Sequence, residues 1–111
     1  MKKLAFLLIA LPFFKFDATV QMYATGDNPN TGAMPTVNFE DPSNGNILYY
    51  KQLTSSFGTI NVPVATYNIV ITETNNHSFS ASIPGYGSRM GQTLTFDSVA
   101  VTNMSIYITC N

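Results

Sequence analysis

Charged side chains are scarce in this sequence. They make up 10% of its 111 residues, against about 25% in typical soluble domains. Three of the five Lys and Arg residues lie within the first fifteen positions, which leaves Lys51 and Arg89 for the rest of the chain. Two cations neutralise too few phosphates to hold DNA or RNA, so the composition excludes a nucleic-acid-binding protein.

Groups that perform catalysis are equally few. The chain has one histidine, His77, one cysteine and no tryptophan. A metal site needs several His, Cys or carboxylate ligands, and no such cluster surrounds His77, which we expect in an exposed turn. Glu40 and Asp41 are adjacent, and neighbours on a strand point to opposite faces, so they form no acid–base pair. We therefore expect no enzyme and no cofactor.

The single cysteine, Cys110, lies next to the end of the chain. One cysteine cannot form an internal disulfide. We expect its thiol to be a small buried apolar group that closes the last strand. An intermolecular disulfide is the alternative.

Alternation of apolar and polar residues is the strongest pattern present. It predicts strands at residues 19–25, 36–40, 47–53, 57–62, 66–73, 78–83, 92–101 and 104–110. Segments rich in Gly, Pro and Asn separate them, and we expect loops at 26–35, 41–46, 74–77 and 84–91. Short strands at such regular intervals are typical of a β-sandwich. The sequence therefore predicts an all-β, single-domain, antiparallel β-sandwich of seven or eight strands.

The apolar faces of these strands predict the hydrophobic core. Its expected members are Val37, Phe39, Ile60, Tyr67, Ile69, Ile71, Phe79, Ile83, Leu94, Phe96, Val99, Val101, Ile106 and Ile108.

The first eighteen residues differ from the rest. Two lysines precede an uninterrupted apolar run at residues 4–14, which is the layout of a secretory signal peptide. The run is shorter than the ~20 residues that cross a bilayer. We predict a signal peptide at 1–18, a domain at 19–111, and a secreted, periplasmic or cell-surface protein with no membrane span after cleavage. Cleavage after Ala24 and an uncleaved anchor are the alternatives.

One stretch resembles a known family. Residues 62–67 (VPVATY) are followed by the β-branched strand 69–72 (IVIT), the pair Gly85-Tyr86 and a closing strand at 104–110. This order is similar to that of carboxypeptidase regulatory-like, or transthyretin-like, domains. The resemblance implies a small prealbumin-like sandwich. It also implies an accessory, adhesive or stalk-forming role without catalysis, as such modules have in secreted bacterial proteins.

Tyrosines and one arginine are the candidate contact residues. Tyr23, Tyr50 and Tyr107 lie on faces opposite the predicted apolar stripes, and Tyr86 lies in a glycine-rich loop. Exposed tyrosines stack on sugars or anchor protein partners. With Arg89 they form the predicted ligand or partner contacts. The alternative is that strands simply favour tyrosine.

The loop that begins at Asp27 (DNPNTG) partly matches a calcium-binding loop. Pro29 stands where that pattern needs an oxygen ligand, so an ordinary turn is the main interpretation and calcium the alternative.

These features predict a secreted or surface-displayed, non-catalytic binding or accessory module whose partner is a protein or a glycan. The alternative is a structural subunit of a surface fibre or coat, a homo-oligomer that assembles through edge strands. The low charge fits that alternative, because few lysines guard the edges.

Overall fold

The computed structural model describes residues 17–26, 35–73 and 78–110, in which all regular structure is β. The strands are β1 (Asp17–Gly26), β2 (Pro35–Glu40), β3 (Ile47–Gln52), β4 (Phe57–Pro63), β5 (Ala65–Glu73), β6 (Phe79–Ile83), β7 (Gly87–Gly91), β8 (Thr93–Val101) and β9 (Met104–Cys110). Nowhere in these three ranges does a helix long and apolar enough to cross a bilayer occur.

The strands form two sheets. The larger has five strands in the order β4-β1-β9-β6-β7, and the smaller has four in the order β3-β2-β5-β8. Inward-facing side chains of both sheets meet in one hydrophobic core. The all-β prediction is confirmed, and the arrangement fits a β-sandwich.

Two features differ from the expected antiparallel sandwich of seven or eight strands. Strands β1 and β9 pair in parallel. The sequence did not predict this, because alternation shows which face of a strand is buried but not the direction of its neighbour. The described residues also form nine strands. The additional one, β7, lies in the segment 84–91 that was predicted as a loop, where glycines at both ends of the strand obscure the alternation.

Strand β1 contributes more to the core than the sequence predicts. Every predicted core residue is buried except Ile60, which is partly buried and packs against the others. The inward face of β1 adds further buried side chains: Ala18, Val20, Met22 and Ala24. Since Ala18 is buried opposite Val62, the predicted domain boundary after residue 18 falls inside β1. Cys110 is 2% exposed at the end of β9, as expected for a buried thiol.

The turn between β2 and β3 forms where the sequence predicts it. The Asp41 carbonyl accepts hydrogen bonds from the Asn44 and Gly45 amides, at 3.3 and 2.8 Å. Gly45 has a φ of 76°, which a glycine adopts without strain. The Ser43 amide and hydroxyl both donate to the Asp41 carboxylate, and these bonds lower the pKa of that carboxyl. The turn therefore holds β3 beside β2.

Tyr67 stabilises the crossing where the chain passes from the larger sheet to the smaller sheet. Strand β4 ends at Pro63 in the larger sheet, and β5 starts at Ala65 in the smaller sheet. The buried Tyr67 hydroxyl donates a 2.7 Å hydrogen bond to the Pro63 carbonyl, and its ring packs edge-on against Phe39 and Tyr49. A tyrosine hydroxyl bound to backbone a few residues upstream is a known corner device in β-sandwiches.

We predict that Tyr67→Phe lowers the free energy of unfolding by about 1 kcal/mol, because it removes this hydrogen bond and leaves the carbonyl unpaired. Urea denaturation measures the loss. The control is Tyr50→Phe, at a side chain that is 66% exposed, where we expect no measurable change. Equal stability of Tyr67→Phe and the native protein would contradict the role assigned to this hydroxyl.

The stability of the native protein and that of Tyr67→Phe should also depend differently on pH. Burial raises the pKa of Tyr67 above the ordinary value of 10.0. A group whose pKa is raised by folding contributes stability below its unfolded pKa, and that contribution is lost as the pH rises. We therefore expect the stability difference between the native protein and Tyr67→Phe to be constant below about pH 9 and to shrink above pH 10. A difference that grows with pH would contradict this prediction.

Candidate binding surface

Three aromatic side chains lie side by side on the outer face of the larger sheet. Strand pairing sets Tyr23 of β1 directly beside Phe57 of β4 and Tyr107 of β9. The Tyr23 and Tyr107 rings stack with centroids 5.5 Å apart and planes 13° apart, and the Tyr23–Phe57 centroids are 5.1 Å apart. We call these three residues the aromatic row. Two strand spacings separate its ends by about 10 Å.

The aromatic row remains open to solvent. Phe57 is 47% exposed and Tyr107 is 48% exposed, while Tyr23 between them is half-buried. Because Tyr23 covers one side of each neighbour, the ring faces left for a ligand belong to Phe57 and Tyr107. Aromatic side chains that are large, rigid and partly exposed are common anchors at binding surfaces.

The rest of this outer face is polar but almost uncharged. Among its described residues Asp17 is the one charged side chain, and it lies at the first position of β1. The other outward positions carry mainly hydroxyl and amide groups: Thr19, Gln21, Thr25, Thr59, Asn61, Ser80, Ser82, Ser88, Ser105 and Thr109. Such a face offers hydrogen bonds without a charge preference.

A shallow depression adjoins the aromatic row. It has a volume of about 290 Å³ and is lined by Thr19, Gln21, Asn103, Met104 and Ser105. The Asn103 side-chain oxygen accepts a 2.8 Å hydrogen bond from the Thr19 amide. The Tyr23 hydroxyl donates to the Gln21 side-chain oxygen at 3.2 Å. Gln21 therefore connects the aromatic row with the depression.

The other predicted contact tyrosines lie elsewhere. Tyr50 is on β3 at the edge of the smaller sheet, and pairs with Asn38 on its outer face. Tyr86 is in the turn between β6 and β7, where it is partly buried against the core. Its hydroxyl accepts a 3.0 Å hydrogen bond from the Ala100 amide of β8. Of the predicted tyrosines, the fold brings only Tyr23 and Tyr107 together.

The Arg89 side chain lies on the inward face of edge strand β7, away from the aromatic row. It pairs with the buried Ala81, so it occupies an inward position on edge strand β7. Its guanidinium carbon lies 4.7 Å from the centroid of the Phe96 ring, and Nη1 donates to the Ser88 carbonyl at 3.0 Å. Arg89 covers the gap between β7 and β8 and shields Phe96 from water.

Lys51 occupies the equivalent place on the opposite side. It pairs with the buried Val37 on edge strand β3, and its Cε lies beside Gly58 of β4. The two cations of the described residues thus each occupy an inward position on an edge strand.

Sequence reasoning missed Phe57 as a member of the aromatic row. It begins a strand with weak alternation, and its neighbour Tyr23 is far away in the sequence. No local signal marks it, because only the pairing of β4 with β1 joins the two residues.

The calcium interpretation of the Asp27 loop and the turn assigned to His77 lie outside the described residues. Within residues 17–26, 35–73 and 78–110, no three His, Cys, Asp or Glu side chains group together as metal ligands.

We predict that Arg89→Ala lowers the free energy of unfolding by about 1 kcal/mol, through loss of the cation–π contact and of the cover over Phe96. Met90→Ala on the same strand is the control, since Met90 is 76% exposed and such surface changes have small effects. Urea denaturation of both variants tests this. If Arg89→Ala is as stable as Met90→Ala, Arg89 does not stabilise the fold by covering Phe96.

No family model matches the chain, and no curated protein or solved structure matches it significantly.

Proposed function

We propose that this chain is an exported, non-catalytic binding module that holds a neutral glycan on the outer face of its larger sheet. The observation that carries the proposal is the aromatic row beside an uncharged depression that is lined by hydroxyl and amide groups together with Met104.

The chemistry of the face favours a neutral, polyhydroxylated ligand. Apolar faces of sugar rings stack on exposed aromatic rings, and Phe57 and Tyr107 offer two such rings about 10 Å apart. Gln21 lies between Thr59 and Ser105 in the next row of the sheet. These groups both donate and accept hydrogen bonds, as sugar hydroxyls require. An ionic ligand would find little opposite charge here.

Export and the lack of catalysis are supported by the sequence. The lysines and the apolar run at residues 4–14 are typical of a signal peptide. One histidine and one buried cysteine leave few ways to build a catalytic site.

The resemblance to transthyretin-like domains supports the same role. Its most characteristic residues, 62–67, form the crossing between the two sheets that Tyr67 locks. We propose on this basis a prealbumin-like sandwich with an accessory or adhesive function.

A glycan array probed with the purified protein tests the proposal. We expect binding to one class of neutral polysaccharide, and we expect Tyr107→Ser to weaken it at least tenfold, about 1.4 kcal/mol, because a stacking surface is lost. The matched control is Tyr50→Ser, an exposed tyrosine on the outer face of the other sheet, which should bind a short, soluble glycan with the native affinity.

The outcomes separate the ligand classes. Binding that survives Tyr107→Ser unchanged would show that the ligand uses another surface. The native protein could instead bind a protein and no glycan, with that binding abolished by Tyr107→Ser. This result would confirm the binding surface but overturn the assignment of a glycan as its ligand.

The structural-subunit alternative is favoured by one observation, the exposed apolar strand β3. Fibre growth through edge strands needs two different adhesive edges on each molecule. Of the other edge strands of the described fold, β4 exposes one large apolar side chain, Phe57, β7 exposes Met90, and β8 exposes none. The described edges therefore favour a closed pair over a fibre.

A further inference from the structure

Among the described strands, β3 is an edge that no other strand covers, and it has apolar side chains on both of its faces. It ends the smaller sheet and pairs on one side with β2. Four successive residues are exposed: Ile47 by 56%, Leu48 by 48%, Tyr49 by 37% and Tyr50 by 66%. Unpaired backbone groups on such an edge form a template for another strand, and proteins that remain monomeric normally blunt them.

We propose that β3 pairs antiparallel with β3 of a second copy, about a two-fold axis that passes beside Tyr50. The pairing joins two four-stranded sheets into one continuous sheet. It gives a closed dimer, because each copy uses the same edge. None of the other described edge strands, β4, β7 and β8, has a comparable run of exposed apolar side chains.

The backbone determines which residues face the open edge. The Leu53 amide donates a 2.9 Å hydrogen bond to the Pro35 carbonyl at the start of β2. Backbone groups of successive strand residues point to alternate sides. Lys51 and Tyr49 therefore also bond towards β2, whereas Tyr50 and Gln52 direct their amides and carbonyls to the open edge. A second β3 can bond only to this second set.

The side chains select the register among those that the backbone allows. With Tyr50 opposite its own copy, Lys51 lies opposite Tyr49 of the second molecule, which places a cation beside an aromatic ring. A shift that centres the axis on Lys51 would put two lysines opposite each other, and directly opposed like charges destabilise a sheet. The Tyr50-centred register avoids this.

A charge placed at the centre of the proposed contact tests it. We expect sedimentation velocity of the purified protein to show a concentration-dependent monomer–dimer equilibrium. Tyr50→Lys should raise the dimer dissociation constant at least tenfold, because two lysines then face each other. Tyr107→Lys is the matched control on the outer face of the larger sheet and should leave that constant unchanged. Circular dichroism and urea denaturation show whether both variants are folded.

A cysteine pair tests the register. Directly paired residues of a hydrogen-bonded antiparallel site have Cα atoms about 5.5 Å apart, within the range that a disulfide spans. Tyr50→Cys should therefore form a covalent dimer on mild oxidation. Gln52→Cys should not, because that residue does not face its own copy in this register. The native protein, oxidised in the same way, is the control for cross-linking through its own buried cysteine, Cys110.

Three results would overturn the proposal. They are a monomer at all concentrations up to about 1 mM, a dimer that Tyr50→Lys leaves intact, and assemblies that keep growing beyond two copies. Tyr107 variants test the binding of a short, soluble glycan, which occupies one site and does not depend on pairing, and Tyr50 variants test pairing, so the two proposals can fail separately.

Discussion

The larger sheet depends on strand β1, which pairs with β4 on one side and with β9 on the other. Its parallel pairing with β9 joins the first and last strands of the described chain, and its inward face buries side chains from Ala18 to Ala24. The same two registers place Tyr23 between Phe57 and Tyr107. An interruption of β1 would therefore open the core and separate the aromatic row at once, so the proposed binding surface is inseparable from the pairing that closes the fold.

Two sheets packed face to face leave a gap on each side, where their edge strands meet. Lys51 and Arg89 are the only Lys and Arg residues of the described chain, and both take inward positions beside these gaps. Inward charges on edge strands are a device against unwanted pairing. Arg89 lies over Phe96, whereas Lys51 extends towards Gly58 and leaves the outer backbone of β3 uncovered. Because both cations point inward, Asp17 is the one charged side chain on the described outer face of the larger sheet, which suits a neutral ligand.

The alternation of the sequence predicted most strands, and every core residue that it named is buried except the partly buried Ile60, because burial of one face repeats at every second residue. It failed at β7, where Gly87 and Gly91 have no side chain and the inward position between them holds Arg89, a charged residue. For the same reason Arg89 was predicted as a surface contact: a charge normally points outward, and its inward position follows from pairing with β6. Pairing also joins Phe57 to Tyr23. Residues distant in the chain set these registers, so a local pattern cannot reveal them.

The two proposed surfaces lie on different sheets, and this placement has a consequence for binding. The two-fold axis of an antiparallel strand pair is perpendicular to the sheet, so both copies would carry their larger sheets on the same side of the joined smaller sheets. Both aromatic rows would then face the same direction. A polysaccharide or a cell surface presents many identical sites, and two linked sites bind such a ligand with an apparent affinity that can exceed that of one site by about 10²–10⁴. Pairing through β3 would thus let a shallow, uncharged and individually weak surface hold its ligand firmly, without any change in the contacts that each aromatic row makes.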